Sequence, residues 1–252
     1  MRSLSQVTSA VEAGRAVALL DGMLRIPSPS TAEAALAMFV ARQASALGMR
    51  GRRDEVGNVI AETGTGTGDG PTILLLGHLD TAGDQIPVRR EEGRLYGRGA
   101  VDAKGALAGM VCAAAARPDL PVRLIVAGAV EEETAGSRGA NHLVRTLARP
   151  DAVIVGEPSG SAHVVLGYKG QVTLRYRVSR PATHPTNPRE NAIEAAVRFW
   201  EDVRRELGER QSPSFSRPTA ALLEIAGDMV EARASIDCRI PPHFDVAALL
   251  AT

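Results

Sequence analysis

Four short segments carry the side chains in this sequence that could do chemistry. They are Gly77-His78-Leu79-Asp80, Gly99-Ala100-Val101-Asp102, Val130-Glu131-Glu132-Glu133 and Gly156-Glu157-Pro158. Together they offer one imidazole and several carboxylates. A borderline divalent metal such as zinc takes donors of this kind, and a spare carboxylate beside it can move a proton. The chemistry this suggests is metal-assisted hydrolysis.

Taken singly, each segment has a plainer use. His78 alone would be a hydrogen-bonded structural histidine, and Asp80 a turn residue. Asp102 alone would cap the helix that follows it. Glu131-Glu132-Glu133 alone would be a solvated acidic loop, and Glu157 a turn carboxylate. Their order and placement argue for more. Three of the four directly follow apolar runs, Thr72–Gly77, Leu124–Val130 and Ala152–Gly156. Open α/β sheets bind ligands at the carboxyl ends of their strands. His78, Glu132, Glu133 and Glu157 would therefore meet at one rim. His78 and Asp80, two apart in extended chain, share a face, so Asp80 could orient the imidazole. Beside a dication, one carboxylate of the Glu run would ligate while its neighbour takes a proton from the attacking water.

The elements that must position these residues fall into two groups. The three apolar runs predict a central, mostly parallel sheet covered by helices on both faces. Ser30 and Glu33 read as a capping box for a helix from Thr31 to about Leu47, stopped by Gly48. Lys104 to Ala116 is a second helix candidate, ending before Pro118. After Gly167 the pattern changes to strict alternation. Val172, Leu174, Tyr176 and Val178 point one way, as do Ala232, Ala234, Ile236, Cys238 and Ile240 in a later run. Such strands have one wet face. A helix between them is predicted to start at Asn187-Pro188-Arg189-Glu190 and to end near Gly208. Asp245 reads as the N-cap of a last helix, from Val246, that the sequence leaves after under two turns, which suggests a truncated chain. The expected organisation is a catalytic domain over 1–166 and a smaller α+β domain over 167–252. The stretch from Gly64 to Gly70 lacks the Gly-Lys-Ser/Thr ending of a phosphate loop and reads as a flexible connection.

Composition sets outer limits. The 29 basic and 29 acidic residues cancel, and no Lys/Arg tract suggests nucleic-acid binding. No apolar run reaches the length needed to span a bilayer, and the first 22 residues lack a signal-peptide core. Cys112 and Cys238 fit no paired motif and read as free thiols. A cytoplasmic protein without nucleic-acid or membrane partners is expected.

The ordered set, His78-x-Asp80, Gly97-Arg-Gly-x-x-Asp102-x-Lys-Gly105, the Glu run and Gly156-Glu-Pro158, resembles the dinuclear zinc amidohydrolase and peptidase family that includes acetylornithine deacetylase, succinyl-diaminopimelate desuccinylase and aminoacylase. Within it, Gly77-His-Leu-Asp-Thr81, Ile86-Pro-Val-Arg89, Leu95–Gly105 and Gly167-Tyr-Lys-Gly170 look most like hydrolases that release lysine or ornithine from an amino-group carrier protein. The resemblance implies a zinc-peptidase-like α/β catalytic domain and a smaller ferredoxin-like lid and dimerisation domain. It implies two Zn2+ ions per site, replaceable by Co2+, with His78 and Glu157 on one, Asp102 bridging and Glu133 on the other. Glu132 would be the general base and Asp80 would orient His78. In the smaller domain, His184 would help an oxyanion across a homodimer, and Arg239 would bind a substrate carboxylate. The expected partner is an acidic carrier, which Lys169, Arg175 and Arg177 on one polar sheet face could steer. A deacylase of free acylamino acids, or a silent binding module, are the alternatives. The family's second-zinc histidine has no counterpart here; His142, His163 and His243 do not match it.

Overall fold

The computed structural model describes residues 10–64, 70–160, 162–208 and 214–250. The chain divides into two compact units, residues 1–160 and 161–252. Residues 65–69 of the glycine-threonine stretch, and the first nine residues of the segment read against a signal peptide, lie outside the described residues.

The first unit begins with helices α1 (Ala10–Leu24) and α2 (Ala34–Ala46). Strands β1 (Arg50–Arg53), β2 (Val59–Thr63) and β3 (Thr72–His78) follow, then a hairpin of β4 (Arg89–Glu91) and β5 (Arg94–Tyr96). Helix α3 (Lys104–Ala115), strand β6 (Arg123–Ala129), helix α4 (Arg138–Thr146) and strand β7 (Ala152–Val155) complete it. The five-stranded sheet has the order β1-β2-β6-β3-β7. Its β6-β3-β7 part is parallel, while β1-β2 and β2-β6 are antiparallel. The sheet is thus mixed, parallel only where the three apolar runs lie side by side.

Those runs bury alternate residues on opposite faces. Val59, Ala61, Leu124 and Val126 join Leu19, Met23, Leu36, Val40, Leu107 and Val111 in the larger core. Ile60, Leu74, Ile125, Ala127 and Ala129 join Leu143 of α4 on the other face. Continuous apolar sequence is what two covered faces require. β7 departs from that expectation. Val153, Ile154 and Val155 are each about half exposed. The strand is last in the sheet order, so among the described residues nothing pairs with its outer edge.

The second unit contains β8 (Gly170–Ser179), α5 (Ala192–Glu206), β9 (Thr219–Gly227), β10 (Glu231–Ile240) and α6 (Val246–Leu250). Its sheet order is β8-β10-β9, antiparallel throughout. β8-α5-β9 is therefore a split βαβ unit with β10 inserted. The alternating residues Leu174, Val178, Ala232, Ala234, Ile236 and Cys238 are the buried ones, covered by Ala195, Ala196, Phe199 and Val203 of α5. Tyr176 stacks on Phe199 with centroids 4.3 Å apart.

Two helix starts differ from the sequence expectation. α5 is capped by Asn191, whose side chain accepts from the Glu194 N–H while Glu194 answers from its carboxylate. The Pro188 segment lies upstream of that cap; a genuine capping box three residues later takes precedence. α2 has no side-chain cap at all, and Ser30 and Glu33 are engaged elsewhere. Asp245 does cap α6, accepting from Ala248 N–H at 3.0 Å. Among the described residues no helix is long and apolar enough to cross a membrane.

Candidate metal centre

The carboxyl ends of β3, β6 and β7 lie side by side, and each leads straight into a segment with ionisable side chains. His78 is the last residue of β3 and is 1% exposed. Its Nδ1 lies 2.9 Å from the main-chain carbonyl of Asp80. That contact makes Nδ1 the donor and leaves Nε2 free to ligate. Nε2 lies 2.9 Å from Asp102 Oδ1 and 3.8 Å from Glu157 Oε1.

The Asp80 carboxylate is fully buried and holds the acidic loop as well. It approaches His78 Nδ1 only to 3.5 Å. Oδ1 accepts the Glu132 N–H at 3.0 Å, and Oδ2 accepts the Glu133 N–H at 3.0 Å and the Ser30 hydroxyl at 2.8 Å. Asp80 thus ties the histidine strand to the acidic loop. The base of that loop is held by Asn58, also fully buried, which accepts from Val130 N–H at 2.9 Å and donates to Gly139 O at 3.1 Å. Gly139 must be glycine, because a Cβ there would meet the Val130 backbone at 2.5–2.6 Å.

Two sets of ligand atoms result, His78 with Glu132 and Glu133, and His78 with Asp102 and Glu157. Within each set the atoms lie within 4.8 Å of one another. Burial raises the Glu132 carboxyl above its usual range; His78 opposes this, and Glu133, Asp80 and Asp102 reinforce it. Glu157 is raised in the same way, by burial first and then by the neighbouring carboxylates. Such crowding of negative charge is relieved by a cation. The donor set, hard oxygens with one imidazole, suits zinc or a similar divalent ion.

The peptide between Asp102 and Ala103 is cis. A peptidase family model, described as family M20/M25/M40, matches residues 74–233, which span all of these donors. The chain belongs to peptidase family M20/M25/M40. Members of this family are metallo-hydrolases. A [LysW]-lysine hydrolase of Deinococcus radiodurans is 36% identical over 251 residues, covering 94% of this chain and 68% of the relative. A putative [LysW]-lysine/[LysW]-ornithine hydrolase of Thermococcus kodakarensis is 38% identical over 238 residues, covering 91% of this chain and 64% of its own length. The chain therefore spans about two thirds of these relatives. Among solved structures, a Staphylococcus aureus tripeptidase aligns with a TM-score of 0.72 at 20% identity, covering 94% of this chain and 68% of that one. A Bacillus subtilis dinuclear metal binding peptidase of family M20 aligns with a TM-score of 0.63 at 14% identity, covering 96% and 67%. These two likenesses establish the M20 fold.

Several supports of this M20 site are residues whose sequence pattern pointed elsewhere. Ser28 donates to Leu79 O at 2.8 Å, Ser30 reaches Asp80, and Glu33 accepts from Glu131 N–H. The signal Ser-x-x-Glu before a helix was there, but its partners lie 50 and 98 residues away. Lys104 is fully buried and donates to the carbonyls of Met23 and Ile26, at the end of α1, at 3.2 and 3.0 Å. Burial holds its pKa down to about 8. His184 and Arg239 belong to the second unit. His184 is 2.9 Å from Thr186 Oγ1, and Arg239 pairs with Asp237 at 3.0 Å. Of the residues read as a basic face, Arg177 has an anionic neighbour, as does Arg233 beside it. Arg177 meets Glu231 at 3.6 Å, Arg233 meets Glu224 at 2.7 Å, and Lys169 donates to Arg217 O at 2.5 Å.

The charges around His78 make a pH prediction. Burial opposes the imidazolium, but the Asp80 and Asp102 carboxylates, with Glu157 and Glu132, lift the His78 pKa to about 9. Burial likewise opposes the Asp80 carboxylate, but His78, Ser30 and the two loop N–H groups bring it down to about 2 from an ordinary 3.8. A depressed carboxyl stabilises the fold above its unfolded value and loses that contribution as pH falls through the folded one. Asp80→Asn is expected to cost the metal-free protein roughly 2 kcal/mol at neutral pH. The difference from wild type should shrink as pH drops from about 4 to about 2. Denaturant unfolding of both proteins across that range checks it; a pH-independent difference would refute it.

Proposed function

We propose that this chain carries the catalytic centre of a divalent-metal-dependent amide hydrolase. Its substrate would be an amino-group carrier protein bearing lysine or ornithine on a terminal γ-glutamyl carboxyl. The observation that carries the reaction class is the buried His78 with Glu132, Glu133 and Glu157 at the ends of three parallel strands, joined by Asp102 from the loop before α3. The names of the curated relatives, [LysW]-lysine and [LysW]-ornithine hydrolases, support the substrate.

His78 and Glu157 would hold one Zn2+ ion, Glu133 the other, and Asp102 both. Bound there, the ions polarise the scissile carbonyl and make water a nucleophile near neutral pH. The chain's own residues do the proton work. Glu132 takes a proton from the attacking water and hands it to the departing amine as the C–N bond breaks. Its raised pKa suits it to both accepting and giving. Asp80 keeps Glu132 and Glu133 in place through their N–H groups. His184, acting across a homodimer, is assigned to the developing oxyanion, and Arg239, once freed from Asp237, to the substrate's α-carboxylate.

The test is release of amino acid from carrier conjugates of lysine and of ornithine, with N-acetylornithine as the small competitor. Turnover of either conjugate at least about tenfold above N-acetylornithine in kcat/KM supports the proposal. Equal or faster hydrolysis of N-acetylornithine would replace it with a deacylase of free acylamino acids. Lys169, Arg175 and Arg177 would steer the acidic carrier; the Arg177–Glu231 pair, 3.6 Å long between two exposed side chains, is too weak to prevent it.

A further inference from the structure

Glu33 is a buried carboxylate, 4% exposed, that belongs to neither ligand set. It stands where a helix cap would, yet caps nothing. Its Oε1 accepts two main-chain N–H groups, from Thr31 at 3.0 Å and from Glu131 at 3.0 Å. Glu131 is in the left-handed region, with φ of 55°. A glutamate seldom adopts that conformation unless something holds it there. Its own carboxylate turns to Arg138, 3.0 Å away.

The N–H groups of the three consecutive glutamates are thus each claimed by a buried carboxylate. Glu33 takes Glu131, while Asp80 takes Glu132 and Glu133. Ser30, three residues before Glu33, donates to Asp80 as well. Ser28 and Thr81 close the same junction, since Thr81 N–H donates to Ser28 O at 3.0 Å. One loop, residues 28–33, therefore grips both the end of the His78 strand and the acidic loop.

We infer that the loop from Ser28 to Glu33 is a brace for the metal-binding residues, and that Glu33 and Ser30 are its positioning residues. Glu33 fixes Glu131 away from His78 and on Arg138, so that Glu132 and Glu133 are the pair beside His78. Without it, three adjacent carboxylates would spread by mutual repulsion, and the set of His78, Glu132 and Glu133 would lose its shape. The inference rests on the metal reading above, and it concerns only residues that touch no metal or substrate.

The test uses zinc alone, in competition with a chromophoric chelator, on the full chain. Glu33→Met keeps the length and removes the acceptor; Glu33→Gln keeps an oxygen acceptor. Zinc affinity is expected to fall roughly 10- to 100-fold in Glu33→Met and to stay within about threefold of wild type in Glu33→Gln. A role in stability alone would lower the melting temperature of Glu33→Met and leave zinc affinity untouched, and that result overturns the inference. Should Glu33→Met fail to fold, Ser30→Ala decides. A loss of about tenfold in zinc affinity supports the brace, and wild-type affinity overturns it. Absence of zinc binding in the wild type would overturn the metal reading and the brace with it.

Discussion

His78→Ala should lose zinc affinity by at least about a hundredfold and amide hydrolysis by at least about a thousandfold. Both ligand sets depend on this one imidazole. Its Nδ1 is committed to the Asp80 carbonyl, so Nε2 is the nitrogen donor of both ligand sets among the described residues. What remains after its removal is a cluster of carboxylates, which binds zinc weakly and hard ions such as Ca2+ or Mg2+ better. The substitution should therefore change metal preference as well as affinity. Chelator competition with zinc and with Mg2+ measures both. A His78→Ala protein that binds zinc as tightly as wild type would show that the donors lie elsewhere. The variant also leaves the buried Asp80 and the more exposed Asp102, Glu132 and Glu157 without their cation, so its metal-free form should be less stable near neutral pH, where His78, at about 9, carries its proton. That part of the loss should fade as pH rises from 6.5 through 9. A raised histidine stabilises the fold below its unfolded value and ceases to do so above its folded one.

Substitution within the acidic loop should separate its neighbouring glutamates by role. Glu132→Gln is expected to lower kcat by roughly 10²- to 10⁴-fold with zinc affinity within a few-fold of wild type. Glu133→Gln should instead lower zinc affinity by at least about tenfold, with activity partly restored by excess zinc. Glu131→Gln should do neither, because its carboxylate lies on Arg138. These contrasts depend on a register that the sequence left open by one. Asp80 binds the N–H groups of residues 132 and 133, and the carboxylates of these two lie beside His78, which supports this register. If Glu131→Gln lost activity while Glu132→Gln kept it, the assignment of roles would have to move by one residue.

The parallel part of the first sheet was legible because Thr72–Gly77 and Leu124–Val130 are long apolar runs bounded by loops, and burial on two faces leaves few other readings. The wet-faced sheet was legible from alternation alone, as Leu174, Val178, Ala232 and Cys238 illustrate. Strands β1 and β2 were not assigned; Arg50–Arg53 is too polar and short to announce a strand, and its partner Val59–Thr63 supplies the pairing. Ser30 and Glu33 were misread for a physical reason. A serine hydroxyl and a carboxylate three residues apart satisfy a helix terminus and a distant loop with the same groups, and only the folded chain brings Asp80 and Glu131 to them. Asn58 gave no signal at all, since its partners Val130 and Gly139 are main-chain atoms more than 70 residues away.

X-ray absorption at the zinc edge of the zinc-loaded protein reads the metal's own ligands. A first shell of oxygen and nitrogen near about 2.0–2.1 Å is expected, with the multiple scattering of one imidazole and no sulfur. His78→Ala should remove the imidazole signal. A sulfur shell near about 2.3 Å would place the metal on Cys112 or Cys238. That result, or a first shell without imidazole in the wild type, would contradict the metal centre described here.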